Sequence, residues 1–426
     1  MARILVYQSA ASGNVFPAVD MLLELHRRGH ELHLRGGAAE VERLGDLGIR
    51  AATVDPRIEA FEIDDWRARS QVDSLRRLVR AYAALAEFEL PDLRDAISEV
   101  RPDVLVVDIN CHGAMYAAEA SSLPWAIFCP YPPAFRSVDA PPHGMGWRPA
   151  RGPLGRLRDR IWWGIGDRLA APELRPFNRL RAEAELAPVE KFDEQYLTSD
   201  LFIAFTAEPF EYPRSDWPPQ VRLVGPGLWE PPAEPPAWLG AEKRPIVLVT
   251  ASTAYQRDDK LIATALEALA DERFAVVVTT GALDPSAFDA PSNACVEAFL
   301  PHSPVLERAA CVVCHGGHGI TVKALSAGVP VCAIPFCRDQ FDVARRVEMS
   351  DAGVRLHHKR LNADRLHDAV QRAMTKRTGA ERIAQAFAEA GGASAAADAV
   401  QELLGAGSPP AKGAGSAAAA VGSPSR

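Results

Sequence analysis

His315–Gln340 reads HGGHGITVKALSAGVPVCAIPFCRDQ. The β-branched run before it, Ala309–Cys314, predicts a buried strand, and the glycines that follow predict a sharp turn into a short helix. N–H groups at such a helix start carry roughly half a positive charge from the aligned peptide dipoles, which makes the turn an anion site. Gly316, Gly317 and Gly319 let the backbone approach an anion closely, and His315 adds a ring donor. A second turn at Gly328-Val329-Pro330 leads through another apolar run to Arg338-Asp339-Gln340, whose carboxylate and amide suit hydroxyl groups.

Outward from this block, short apolar runs alternate with helical periodicity, the pattern of parallel sheets flanked by helices. Toward the N-terminus, Arg3–Gln8, Glu31–Arg35, Val104–Asp108 and Pro124–Cys129 read as strands, with helices over Phe16–Arg28 and Gly113–Ala120. Nearer the block, Ile246–Thr250, Phe274–Thr279, Cys295–Glu297 and Val331–Ile334 make a second set. The expected organisation is an α/β domain over 1–212, a proline-rich connector over 213–245 and a second α/β domain over 246–382. A helix over 383–404 and a disordered tail over 405–426, too poor in apolar residues to fold, complete the chain.

The net charge of −8 argues against a nucleic-acid partner, which selects for a basic face. The sequence has no apolar run of about eighteen residues and no signal-peptide plan at MARILVYQSA, so the expectation is a cytoplasmic protein without a membrane partner. Seven cysteines, an odd number without framework spacing, read as free thiols. Cys311-Val312-Val313-Cys314-His315 spells a haem-attachment motif, but it sits in a β-branched buried strand and is set aside. An NAD-dependent dehydrogenase is disfavoured because the first strand is followed by SAASGNVFP, which lacks the glycine spacing that seats a pyrophosphate.

The order His-x-Gly, helix, Gly-Val-Pro and Asp-Gln resembles the donor-binding signature of nucleotide-sugar glycosyltransferases of the GT-B type, most of all the bacterial branch that glycosylates macrolides, enediynes and aromatic polyketides. That resemblance implies two doubly wound, Rossmann-like domains facing each other across a cleft, with the terminal helix returning to the first. It implies donor contacts from Ser252 and Thr253, a base-stacking wall at Phe299 and Leu300, and phosphate contacts from His315, Gly317, His318 and Gly319. Thr321 would stand in for the usual hydroxyl, since Ile320 occupies its place, and Asp339 and Gln340 would hold the sugar. Many UDP-sugar enzymes have a glutamate where this chain has Lys323; lysine cannot accept a ribose hydroxyl, so a dTDP-sugar is the expected donor. No cofactor and no metal are implied. The partners are a nucleotide sugar and a small aglycone, and the chain is expected to be a monomer or homodimer.

In relatives a histidine three residues before a proline serves as general base, and here that position is Asn14, before Pro17. An amide has no useful basicity. The carboxylate that orients the base corresponds to Asp108, and His112 follows it. Three readings stay open: Asp108 or His112 is the base, the acceptor needs little help, or the chain binds without catalysing. Phe16, Tyr131, Phe135, Met145 and Trp147 are candidates for an apolar acceptor mouth, with Trp162 and Trp163 in the same aromatic segment. Against a transferase stand a nucleotide-sugar epimerase, which needs no aglycone pocket, and a noncatalytic partner of another transferase, which the asparagine favours.

Overall fold

The computed structural model describes residues 1–9, 12–68, 70–252, 256, 258–271 and 273–405. The tail beyond Gly405 and Thr253 lie outside the described residues. The first sheet contains β1 (Arg3–Tyr7), β2 (Glu31–Gly36), β3 (Arg50–Thr53), β4 (Val104–Asp108), β5 (Trp125–Cys129), β6 (Leu201–Ala204) and β7 (Val221–Leu223). The second contains β8 (Ile246–Thr250), β9 (Ala275–Thr279), β10 (Ala294–Glu297), β11 (Ala309–Cys314), β12 (Val331–Ala333) and β13 (Gly353–Arg355). Their orders are β3-β2-β1-β4-β5-β6-β7 and β10-β9-β8-β11-β12-β13. The pairings are parallel. Central strands such as VLVVD and IVLVT are buried along their whole length, as sheets covered by helices on both faces require.

In each sheet the strand order reverses once, between β1 and β4 and between β8 and β11. At such a switch point, helices leave the sheet in opposite directions and open a crevice beyond the strand ends. The registers Tyr7↔Val107 and Thr250↔Cys314 bring the paired strand ends level, so residues just past them share one crevice.

Two expectations change. The connector is not free of sheet structure: Val221–Leu223 is β7, an edge strand paired with β6. Its three residues are too few to show alternation among the prolines. The terminal helix is in fact two, Arg377–Glu389 and Gly392–Gly405. Ala380, Ile383 and Phe387 belong to the second domain's core, whereas Ala396, Ala397 and Val400 pack with β1 and the Ser12–Arg27 helix of the first. The crossing occurs at Gly391-Gly392, where φ angles of 91° and 55° favour glycine.

The domains are bridged by charge as well as by chain. Buried Glu211, between β6 and β7, accepts from Arg346 at 2.7 and 3.0 Å and from Arg214 at 2.8 Å. Arg338 forks onto Asp65 at 2.6 and 2.7 Å. No described helix is long and apolar enough to cross a membrane.

Candidate functional site: two switch points facing one cleft

On the second domain, His315 follows the end of β11, Gly316 takes φ 84°, and Gly317 precedes the His318–Ser326 helix. Gly316 is required by its left-handed backbone. Gly317 is required by proximity, since a Cβ there would collide with His315 Nε2. Gly319 meets nothing within 4 Å at its Cβ position, leaving the first helical turn open on that side. Burial lowers the His315 pKa against the pull of Asp258, and its Nδ1 is buried without a hydrogen-bond partner among the described residues. Ser252, past β8, donates its N–H to Asp258 at 2.5 Å. Asp258, which the sequence did not single out, thus lies beside both phosphate candidates.

Phe299 is 53% exposed while Leu300 packs on the second core, so the ring is free to take a stacking partner. Lys323 pairs at 3.1 Å with Glu230 of the connector. Glu230 also accepts the N–H groups of His302 and Ser303 at 3.1 and 2.9 Å, a junction that sequence spacing does not reveal. Asp339 heads the Gln340–Met349 helix without making a side-chain cap bond. Burial raises its carboxyl pKa, with His143 and Arg338 opposing.

Three donor assignments need correction. His318 is buried, its Nε2 3.1 Å from the carbonyl of Phe205, so its ring joins the domains and it is the backbone N–H, not the side chain, that stands at the anion site. Thr321 is fully buried with its hydroxyl 3.9 Å from Cys314 Sγ, because one helical turn carries it back over β11. Gln340 is 2% exposed, accepts from Phe336 and Cys337 N–H at 2.9 and 3.1 Å, and donates to Gln256. Its amide holds the preceding turn.

On the first domain, Asp108 is fully buried and its four hydrogen bonds are all occupied. One oxygen accepts Ser9 Oγ at 2.6 Å and Ser9 N at 3.2 Å; the other accepts Asn110 N at 2.9 Å and Nδ2 at 2.8 Å. Burial raises its pKa and these bonds lower it. Ser9 spends its one proton on Asp108, so its lone pair takes Asn14 Nδ2 at 3.3 Å. Asn110 Oδ1 in turn accepts the hydroxyls of Tyr82 and Tyr131 at 3.0 and 2.9 Å. Asp108 therefore has both oxygens filled by donors from Ser9 and Asn110 and holds those two residues in place.

His112 also needs correction as a base. It is 1% exposed, ringed by Tyr82, Phe177, Phe192 and Tyr196, and burial pushes its pKa down to about 3. Phe135 is core, edge-on to Phe202 at 4.7 Å, and is not an acceptor contact. Phe16 packs edge-on to Trp229 of the connector at 5.2 Å and lies under Arg43, which occupies two of its sides. Tyr131, Met145 and Trp147 keep partial exposure, with Trp147 edge-on to Trp162 at 5.5 Å. Among the described residues no three histidine, cysteine or acidic side chains are grouped to hold a metal.

Residues 263–405 match the family model described as erythromycin biosynthesis protein CIII-like, C-terminal domain. Over 95% of this chain and 100% of the relative, the sequence is 32% identical to 4'-demethylrebeccamycin synthase of Lentzea aerocolonigenes. It is 30% identical to a PGL/p-HBAD biosynthesis rhamnosyltransferase of Mycobacterium bovis, over 72% of this chain and 68% of that one. Among solved structures, the calicheamicin glycosyltransferase CalG4 superposes with a TM-score of 0.76 at 22% identity, covering 96% of this chain and 100% of the other. The glycosyltransferase VinC in complex with dTDP gives 0.69 at 22% identity, over 95% and 100%.

Proposed function

Because this chain belongs to the glycosyltransferases of natural-product biosynthesis, with the GT-B fold, we propose that it is an inverting, metal-independent enzyme that moves a deoxysugar from a dTDP-sugar to a natural-product aglycone. The observation that carries this reading is the turn at His315-Gly316-Gly317, which sets a helix start beside an imidazole whose pKa burial lowers, at one switch point. A diphosphate there would lie along the N–H groups of Gly317 to Ile320. As the anomeric bond breaks, its growing charge would meet the helix dipole and His315 in place of a cation. The acceptor atom would attack from the opposite side, with the partly exposed Tyr131, Met145 and Trp147 as the candidate acceptor contacts.

Lys323 supports the choice of dTDP. Its charge is spent on Glu230, whose oxygens already receive three N–H donors, so this corner offers little further capacity to accept a ribose 2′-hydroxyl. Deoxyribose makes no such demand. The test is thermal unfolding with dTDP, UDP or no nucleotide. At a hundred times its dissociation constant dTDP should stabilise the wild type by about 2.7 kcal/mol, exceeding UDP, and the gain should vanish in His315→Ala. Equal shifts with both nucleotides would remove the base preference; no shift with either would remove the donor site.

Asn14 favours one second reading, a noncatalytic partner that binds nucleotide for another transferase. Such a protein shifts with dTDP yet turns over no acceptor.

A further inference from the structure

We propose that His143 is the general base of this enzyme, oriented by Asp342 of the opposite domain. The inference rests on the transferase reading above.

His143 belongs to the segment after β5, on the acceptor side, but the structure delivers it across the cleft. Gly144 and Gly146 donate their N–H groups to the two oxygens of Asp342 at 2.5 and 2.7 Å, and Arg345 and Arg355 donate to the Gly146 carbonyl at 2.9 and 3.1 Å. Gly146 has φ 58° and rests against the Phe341 carbonyl, where a Cβ would not fit. In this clamp His143 Nδ1 lies 3.3 Å from Asp342 Oδ2, and its side chain keeps 29% exposure. Asp342 stands at ion-pair distance from Nδ1, a carboxylate beside the ring that would favour the Nδ1–H tautomer and leave the Nε2 lone pair to accept a proton, the arrangement of a base held by a third group.

The position also suits the reaction. Asp339 heads the helix that carries Asp342 one turn further on, so the contact with Asp342 sets the His143 ring beside the residue proposed to hold the sugar. The charged groups facing it are Asp339, Asp342, Arg345 and Arg355, with Arg346 acting on Asp342 from the far side. In the step, the acceptor O–H or N–H gives its proton to Nε2. The electron pair left on that atom forms the bond to the anomeric carbon, and the anomeric C–O pair departs with the diphosphate. The two carboxylates stabilise the imidazolium, which then loses its proton to water.

The experiment is steady-state turnover of wild type, His143→Gln and His143→Ala against pH, with a dTDP thermal shift on each as a check of fold and donor site. Removal of a general base should lower kcat by on the order of a hundredfold or more. Turnover in His143→Gln should lose the pH dependence that titration of the base imposes, and added imidazole should restore part of the rate to His143→Ala. A higher donor KM with unchanged kcat would make His143 a sugar contact and overturn the inference. So would equal activity in His143→Gln. A wild type that turns over no acceptor would overturn the transferase reading itself.

Discussion

Glu211→Ala should lower the unfolding free energy by about 3–5 kcal/mol, the loss seen when one partner of a buried ion pair is removed. Glu211 is fully buried between Arg346, on the second domain, and Arg214, which like Glu211 lies between β6 and β7 of the first. Without the carboxylate, two guanidinium groups with side chains 3% and 4% exposed lose the countercharge they share and keep only the weaker pull of Asp342 on Arg346 and of Asp216 on Arg214. Arg214 would keep the carbonyls of Phe135 and Pro133, and Arg346 would keep that of Asp342, so hydrogen bonding survives in part while charge does not. The attachment between domains should loosen first. Chemical denaturation should therefore show a lower midpoint, and a second transition if the domains come apart separately.

The same cluster sets a pH dependence. Burial alone would raise the Glu211 pKa, but Arg346 and Arg214 outweigh it and the folded value is depressed. A depressed acid contributes stability that is fully present above its unfolded pKa and is lost as pH falls through the folded one. Wild-type stability should therefore drop on acidification below the ordinary glutamate range. Glu211→Gln should show a shallower drop there, measured as the urea midpoint at successive pH values; parallel pH curves for the two proteins would assign the acid sensitivity elsewhere.

How much of this was legible in the sequence depended on distance along the chain. The donor turn could be read because its requirements are local: Gly316 by its dihedral, Gly317 by the ring two residues before it, and β11 by a run of β-branched side chains. Thr321, His318 and Gln340 were misassigned because spacing marks a helix start without telling which side chains face back over the strand. Short strands such as β3, β7 and β13 carry too few residues for a periodic signal. The pairs that define the site are the least legible. Ser9 reaches Asp108 across 99 positions and Lys323 reaches Glu230 across 93, and nothing local announces either. Asn14 looked like a simple loss of the base, whereas the structure makes it the end of a fixed chain of hydrogen bonds.

That chain yields the second large expectation. Asp108→Asn should lower kcat/KM by roughly a hundredfold, the scale at which a misplacement near the reacting atoms is felt. It should leave the dTDP thermal shift intact, because the change lies on the acceptor wall. The native carboxylate accepts on both oxygens, from Ser9 and from Asn110. An amide accepts on one prong and donates on the other. If the donating prong meets Ser9, the serine hydroxyl must turn its proton toward Asn14, and the Asn14 carboxamide must rotate to accept it. Its Nδ2 then replaces Oδ1 on the far prong. An O–H or N–H nucleophile that Asn14 Oδ1 would have oriented now meets a donor. If the donating prong meets Asn110 instead, it opposes both a backbone N–H and a side-chain N–H, each costing about 1–3 kcal/mol when left unpaired in the interior. The first arrangement opposes only the longer Ser9 N–H contact, at 3.2 Å, and is the less costly, so the expected defect is in orientation more than in stability. Because the carboxyl of Asp108 takes no proton in this scheme, the pH profile of the residual activity should match that of the wild type, unlike that of His143→Gln. An Asp108→Asn enzyme with wild-type kcat/KM would remove Asn14 from acceptor orientation, and one with an altered pH profile would return Asp108 to the proton transfer.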